Sequence, residues 1–226
     1  MLRALLLDAA GTLIEPAESV AEVYARAAAD HGHPLDPAAV KHAFRETFSG
    51  LADPDWPAHP HGDAAERQWW RQIVAKTLNT AAGRTLPDDF LEACFHALFS
   101  HYADPGAWRV FPEVPGVLAT AREASLRLAV VSNFDRRLHG ILAGHGLHFD
   151  AVVTSADAAC RKPAPGIFHH ALKLLDLSPS EAFHAGDSHT ADFLGAQALG
   201  IPAWHLERPA QDLRDFLAVA LGNRSK

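Results

Sequence analysis

Apolar residues fall in two rhythms along this chain. An unbroken run at residues 5–7 and short apolar-rich runs at 126–132, 151–154, 182–185 and 201–205 read as strands of a buried parallel sheet. Between them, apolar positions recur at helical spacing over 20–29, from 36 through Val40, Phe44 and Phe48, and over 64–82, 87–102, 115–124, 136–146, 165–175, 190–199 and 212–221. Ser19 precedes the first helix with Glu22 at its third position, a capping box. Asp36-Pro37 opens the second as an N-cap followed by proline. Pro54, Pro57, Pro60 and Gly62 mark 52–63 as a loop. No strand is predicted between 15 and 105. The pattern predicts an α/β protein, a Rossmann-like doubly wound parallel sheet, interrupted after its first strand by an all-helical insertion. The core comprises 1–14 and 106–226, and the helical block 15–105.

Composition narrows the partners. A formal net charge of -7, with 20 Lys and Arg against 27 Asp and Glu, leaves no basic footprint for nucleic acid. An acidic protein that handles an anion needs a local positive site. Cys94 and Cys160 are too few and too far apart for a disulfide framework, and fit a reducing compartment. The run at 5–7 is too short for a signal peptide, and no run is long enough to span a bilayer. The expectation is a cytoplasmic protein with a small-molecule substrate and no nucleic-acid or membrane partner, monomeric or homodimeric.

The predicted strands end on polar residues. Asp8 and Thr12 follow the first, Ser132 and Asn133 close the second, Lys162 lies in the loop after the third, and Asp187 and Asp192 follow the fourth. A parallel sheet brings all these C-terminal ends to one edge, where such sheets bind ligands. Asp8 and Asp187 can share a hard divalent cation with oxygen ligands, as magnesium requires. A carboxylate beside that cation can attack phosphorus and form an aspartyl-phosphate. Lys162 would neutralise Asp8 and the transferring group, and the Thr12 and Ser132 hydroxyls would bind phosphoryl oxygens. Asp192, in the first turn of a helix, would hold metal-bound water.

In this order the motifs Asp8-Ala9-Ala10-Gly11-Thr12, Val131-Ser132-Asn133, Lys162-Pro163 and Gly186-Asp187-Ser188 with Asp192 resemble the haloacid dehalogenase superfamily. The resemblance covers the whole chain and makes 15–105 its helical cap. Arg67-Gln68-Trp69-Trp70 and 132–138 resemble the subgroup named haloacid dehalogenase-like hydrolase domain-containing protein 3. The resemblance implies magnesium held by Asp8, Asp187 and the Ala10 backbone carbonyl. It also exposes a departure. Phosphatases of the family carry a second aspartate two residues after the nucleophile, a general acid–base, and here that position is Ala10. Losing such a group typically costs about 10²–10⁴-fold in rate. Three readings stay open: a magnesium-dependent phosphatase with an acidic leaving group or a substitute acid; carbon–heteroatom cleavage resembling phosphonoacetaldehyde hydrolase or the 2-haloacid dehalogenases; or a non-catalytic binder of phosphate compounds.

Other candidates sit around this set. His189 is the candidate substitute acid, and Arg45 and Arg71 could reach a substrate anion from the helical block. A Schiff-base lysine could come only from Lys41 or Lys76. Phe44, Trp69 and Trp70 read first as helix packing and second as pocket lining. Asp135-Arg136-Arg137, after the second strand, could flank the site, but reads first as a helix start with surface charge. His59, His61, His169 and His170 lack zinc-site spacing.

Overall fold

The computed structural model describes residues 1–56 and 62–222. Pro57, His59, Pro60 and His61 of the expected loop lie outside the described residues. Numbered in chain order, the strands are β1 (Ala4–Leu7), β2 (Ile14–Pro16), β3 (Trp108–Val110), β4 (Arg127–Ser132), β5 (Ala151–Thr154), β6 (Ala182–Gly186) and β7 (Ala203–His205). The helices are α1 (Val20–Asp30), α2 (Pro37–Gly50), α3 (Gly62–Ala82), α4 (Asp88–His101), α5 (Val114–Glu123), α6 (Arg137–Gly144), α7 (Ser155–Ala158), α8 (Pro165–Leu174), α9 (Gly195–Gln197) and α10 (Leu213–Gly222). Five strands form one parallel sheet in the order β5-β4-β1-β6-β7. This is the expected α/β Rossmann-like architecture.

The unbroken apolar run of β1 has a direct structural reason. Leu5 and Leu7 pack with Leu118, Ile141 and Phe216 on one face of the sheet. Ala4 and Leu6 pack with Ile167, Phe168 and Leu172 on the other. Helices therefore cover both faces, and no polar position is tolerated until the strand ends. Chain order runs outward from β1 through β4 to β5, then crosses back to β6 and β7. The reversal places a crevice beside β1, at the C-terminal ends.

Three features depart from the sequence pattern. β2 and β3 form a two-stranded antiparallel ribbon, with Ile14 opposite Val110 and Pro16 opposite Trp108. Three residues per strand are too few to show an alternating pattern, and α1–α4 lie between its two strands in sequence. Ser19 stands at the N-cap of α1 but makes no side-chain cap bond; Glu18 pairs with Arg26 beside it at 2.8 and 3.0 Å. The helix expected over 190–199 is a π-helical stretch, His189–Leu194, that continues into α9. Such widened turns recur at functional sites, and here it carries Asp192. Asp36 does cap α2, accepting from the amides of Ala38 and Ala39. No helix among the described residues is long and apolar enough to cross a membrane.

The helical block has its own core, built from Tyr24, Val40, Leu78, Phe90, Phe95 and Leu98. A buried ionic joint ties it to the sheet. Glu66 of α3 is fully buried and accepts from Arg161 at 3.1 and 2.5 Å. The Ser155 hydroxyl donates to the same carboxylate. The Arg161 guanidinium stacks 3.7 Å over Trp69. Breaking a buried pair by removing one partner leaves a charge without compensation. Glu66→Ala is expected to lower the unfolding free energy by about 3–5 kcal/mol, read as a fall in the urea midpoint. Arg3→Ala, which breaks an exposed pair with Glu181, should leave that midpoint nearly unchanged.

Candidate active site

The register of the sheet decides what meets at its C-terminal edge. Leu7 pairs with Val130 on one side and Ala185 on the other. Asp8, Ser132 and Asp187 therefore emerge from three adjacent strands within two residues of the same level. Lys162, from the segment between α7 and α8, reaches between them. Its ammonium donates to Asp8 Oδ1 at 2.7 Å and to Asp192 Oδ1 at 2.5 Å. Asn133 fixes the Lys162 backbone from both sides, donating to its carbonyl at 2.9 Å and accepting from its amide at 2.7 Å. Asp8, Lys162 and Asp192 are all buried.

Asp192 is held on every side. Besides Lys162 it receives His184 Nε2 at 2.9 Å and the Ser188 amide at 3.0 Å. Gly186 makes room for it: a β-carbon there would lie 2.1 Å from the Asp192 carboxyl carbon. Gly11 does the same for Asp187. It takes φ +86°, and a β-carbon would lie 2.4 Å from Asp187 Oδ2.

The charges do not balance. Burial disfavours the Lys162 ammonium, but Asp192 and Asp8 outweigh it and hold its pKa above the ordinary value. Burial opposes ionisation of Asp192, yet Lys162 and His184 hold its carboxyl well below the usual range. Asp8 is raised, chiefly by burial, with the negative charge of Asp192 acting against Lys162. Asp187 is pushed up to about 6 by burial of its carboxyl and then by the charges of Asp8 and Asp192. Three carboxylates thus share one ammonium.

That surplus fits a cation. Asp8, Asp187 and Asp192 each offer an oxygen within 4.8 Å of the others. An all-oxygen donor set suits a hard divalent ion of the magnesium type. Asp192 is already committed to Lys162, His184 and Ser188, so Asp8 and Asp187 are the carboxylates with capacity to spare.

The remaining candidates divide. Thr12 is fully buried, and its hydroxyl has no partner among the described residues. Ser132 ends β4 at the site edge. His189 is exposed beside the acidic loop, its ring 5.2 Å from that of His205, and His205 Nε2 bonds the Asp187 carbonyl at 3.1 Å. Arg45 is exposed on α2. Arg71 is drawn to Glu92 at 2.8 Å. Neither arginine is brought to the strand ends.

Two residues escaped the sequence reading. His184 supports Asp192 from inside β6; an imidazole within an apolar strand was its only signal. Arg208 clamps the turn after β1, donating to the carbonyls of Gly11 and Thr12 at 3.2 and 2.8 Å. Asp135 and Arg137 are not the surface charges expected first; Arg137 lines the cavity beside the strand ends, the flanking alternative. Asp135 is buried, Arg137 binds both its oxygens, and the guanidinium stacks 3.6 Å over Phe99. Arg136 alone behaves as expected, an exposed side chain bridging half-buried Asp63 and Asp157.

Beside the strand ends lies a cavity of about 220 Å³ under the helical block. Phe44 and Trp70 line it, the pocket role that seemed the lesser one from sequence, as do Ala10 and Asn133. Trp69 instead packs against Arg161.

Comparison with known proteins adds the following. A family model described as haloacid dehalogenase-like hydrolase matches residues 2–200. Human haloacid dehalogenase-like hydrolase domain-containing protein 3 is 35% identical over 212 residues, spanning 92% of this chain and 83% of that protein. A plasmid-encoded phosphoglycolate phosphatase of Cupriavidus necator is 33% identical over 206 residues, 88% of this chain and 78% of that one. Among solved structures, the Bacillus subtilis HAD-hydrolase YfnB bound to magnesium is similar with a TM-score of 0.74 at 19% identity, covering 97% of this chain and 99% of that one.

The electrostatics set a test. Folding raises the Asp187 pKa from 3.8 to about 6. Its stabilising contribution is therefore present below about pH 4 and is lost as pH rises through 6. In chelator at pH 7, Asp187→Asn should melt at a higher temperature than the parent, and the difference should close toward pH 4. Added magnesium should raise the parent's melting temperature at pH 7 and that of the variant much less.

Proposed function

The chain belongs to the haloacid dehalogenase-like hydrolase family, and on that premise we propose that it hydrolyses a small phosphorylated compound through an aspartyl-phosphate on Asp8. The observation that carries this reading is the buried Asp8–Lys162–Asp192 chain with Asp187 alongside. Asp8 attacks phosphorus with the carboxylate oxygen that Lys162 does not occupy. Lys162 offsets charge on Asp8 and on the transferring group. Asp192 acts through Lys162, as its buried counter-charge. Ser132 and Thr12 offer hydroxyls to the phosphoryl oxygens. Asp8, the Ala10 carbonyl and Asp187 would hold magnesium, which supplies positive charge against the phosphoryl group. The segment 15–105 acts as a cap that excludes water and selects the substrate. Free thiols at Cys94 and Cys160 accord with a cytoplasmic setting.

The phosphonoacetaldehyde-type alternative needs a lysine at the substrate. Lys41 and Lys76 are exposed, and neither lines the cavity. The acidic cluster speaks against a metal-free dehalogenase.

With magnesium and a panel of phosphate esters, the protein should release phosphate, and Asp8→Asn should reduce release by roughly 10⁴-fold or more. Equal, background release by both proteins would favour the binding-protein reading instead. Ala10→Asp, which restores a general acid–base, should raise activity on alkyl phosphates by about 10²-fold or more, measured as kcat/KM.

A further inference from the structure

The cavity beside Asp8 has a chemical character that the family alone does not specify. Its walls are aromatic, from Phe44, Trp70, Phe99 and Tyr102, and its floor is Ala10 and Asn133. Asn133 is the residue bonded twice to the Lys162 backbone, so the cavity adjoins the residues that follow β1 and β4. No carboxylate or imidazole lines it among the described residues. Its single cation, Arg137, is consumed by Asp135 and the Phe99 carbonyl. A charged substrate body would lose its hydration there and find no partner. The indole N–H of Trp70 and the hydroxyl of Tyr102, two residues of the lining, are buried without a partner among the described residues. At about 220 Å³ the space exceeds the roughly 150 Å³ in which an apolar protein cavity binds benzene. One substituted ring fits.

Ala10 adds an independent constraint. With no acid at the floor, the leaving oxygen must depart as an anion that is stable by itself. A phenol of the tyrosine kind ionises near pH 10, whereas an aliphatic alcohol lies close to water, near 15.7. From the cavity and this floor together we propose that the substrate is a single-ring aryl phosphate, its ring in the cavity and its phosphoryl group at Asp8. This deepens the phosphatase reading and rests on it. An Asp8 oxygen bonds to phosphorus while the phosphorus–aryloxy bond breaks. The phenolate leaves with the electron pair and is protonated by solvent. Water then attacks phosphorus, freeing Asp8 and giving inorganic phosphate, with its proton passing to solvent.

The test combines binding and turnover on the unmodified protein with magnesium. 4-Methylphenol should quench tryptophan fluorescence, because Trp70 and Trp108 both line the cavity. kcat/KM should be at least about 10²-fold higher for phenyl phosphate than for benzyl phosphate, which carries the same ring on an alkoxide leaving group. Ala10→Asp should narrow that ratio by raising the benzyl rate. No quenching and no aryl preference, with Asp8-dependent hydrolysis of small aliphatic phosphates, would overturn the proposal and leave the phosphatase reading standing. Quenching without hydrolysis of any ester would overturn both, leaving an aromatic-binding cavity.

Discussion

One buried ammonium holds this site together. Lys162 sits between Asp8 and Asp192 at hydrogen-bond distance from each. Removing such ions from water costs several kcal/mol apiece after relaxation. At an effective dielectric of 20, attraction across 4 Å returns about 4 kcal/mol per pair. Two opposite charges around one ammonium, with His184 and the Ser188 amide on the outer carboxylate, make the arrangement sustainable. The same arrangement leaves Asp187 with no cation of its own among the described residues. The chain's acidity is thus concentrated where a divalent ion would relieve it. Site stability and site chemistry follow from one charge imbalance.

The residue before Lys162 extends this constraint to the helical block. Arg161 enters α3 to meet Glu66, while Lys162 enters the sheet edge to meet Asp8. Ser155 joins the two sides, its single hydroxyl proton shared between Glu66 and the Phe134 carbonyl, the latter at 3.0 Å. Phe134 follows Asn133, the residue that clamps the Lys162 backbone. Lifting the helical block would separate Glu66 from Arg161, next in sequence to the buried lysine. The contact to the helical block and the lysine at the strand ends are therefore set by consecutive residues.

Much of this was legible in sequence because parallel strands buried on both faces leave an unmistakable apolar run, and because their ends share an edge. Asp8, Ser132, Lys162, Asp187 and Asp192 could be assembled from that rule without distances. What could not be read has physical causes. Strands of three residues, such as β2 and β3, carry no periodicity. Charges such as Asp135 and Arg137 look like surface residues because burial depends on a partner that a pattern does not show. Glu66 lies on a helix face that faces the sheet only after Arg161 arrives from 95 residues away. Arg45 and Arg71 illustrate the converse. Their type suited an anion, but α2 and α3 turn them elsewhere.

Ala10 links the cavity to the charged cluster. A carboxylate at that position would face an aromatic space with no cation free to meet it, since Arg137 is already spent on Asp135. Its burial would push it toward the neutral form and draw water into the cavity. Alanine keeps the cavity apolar to within two residues of Asp8, so a hydrophobic guest can approach phosphorus transfer without a competing hydration shell. The absence of the acid and the apolar lining of the cavity are then one feature. A leaving group that binds well in an aromatic pocket is also one that departs without being handed a proton.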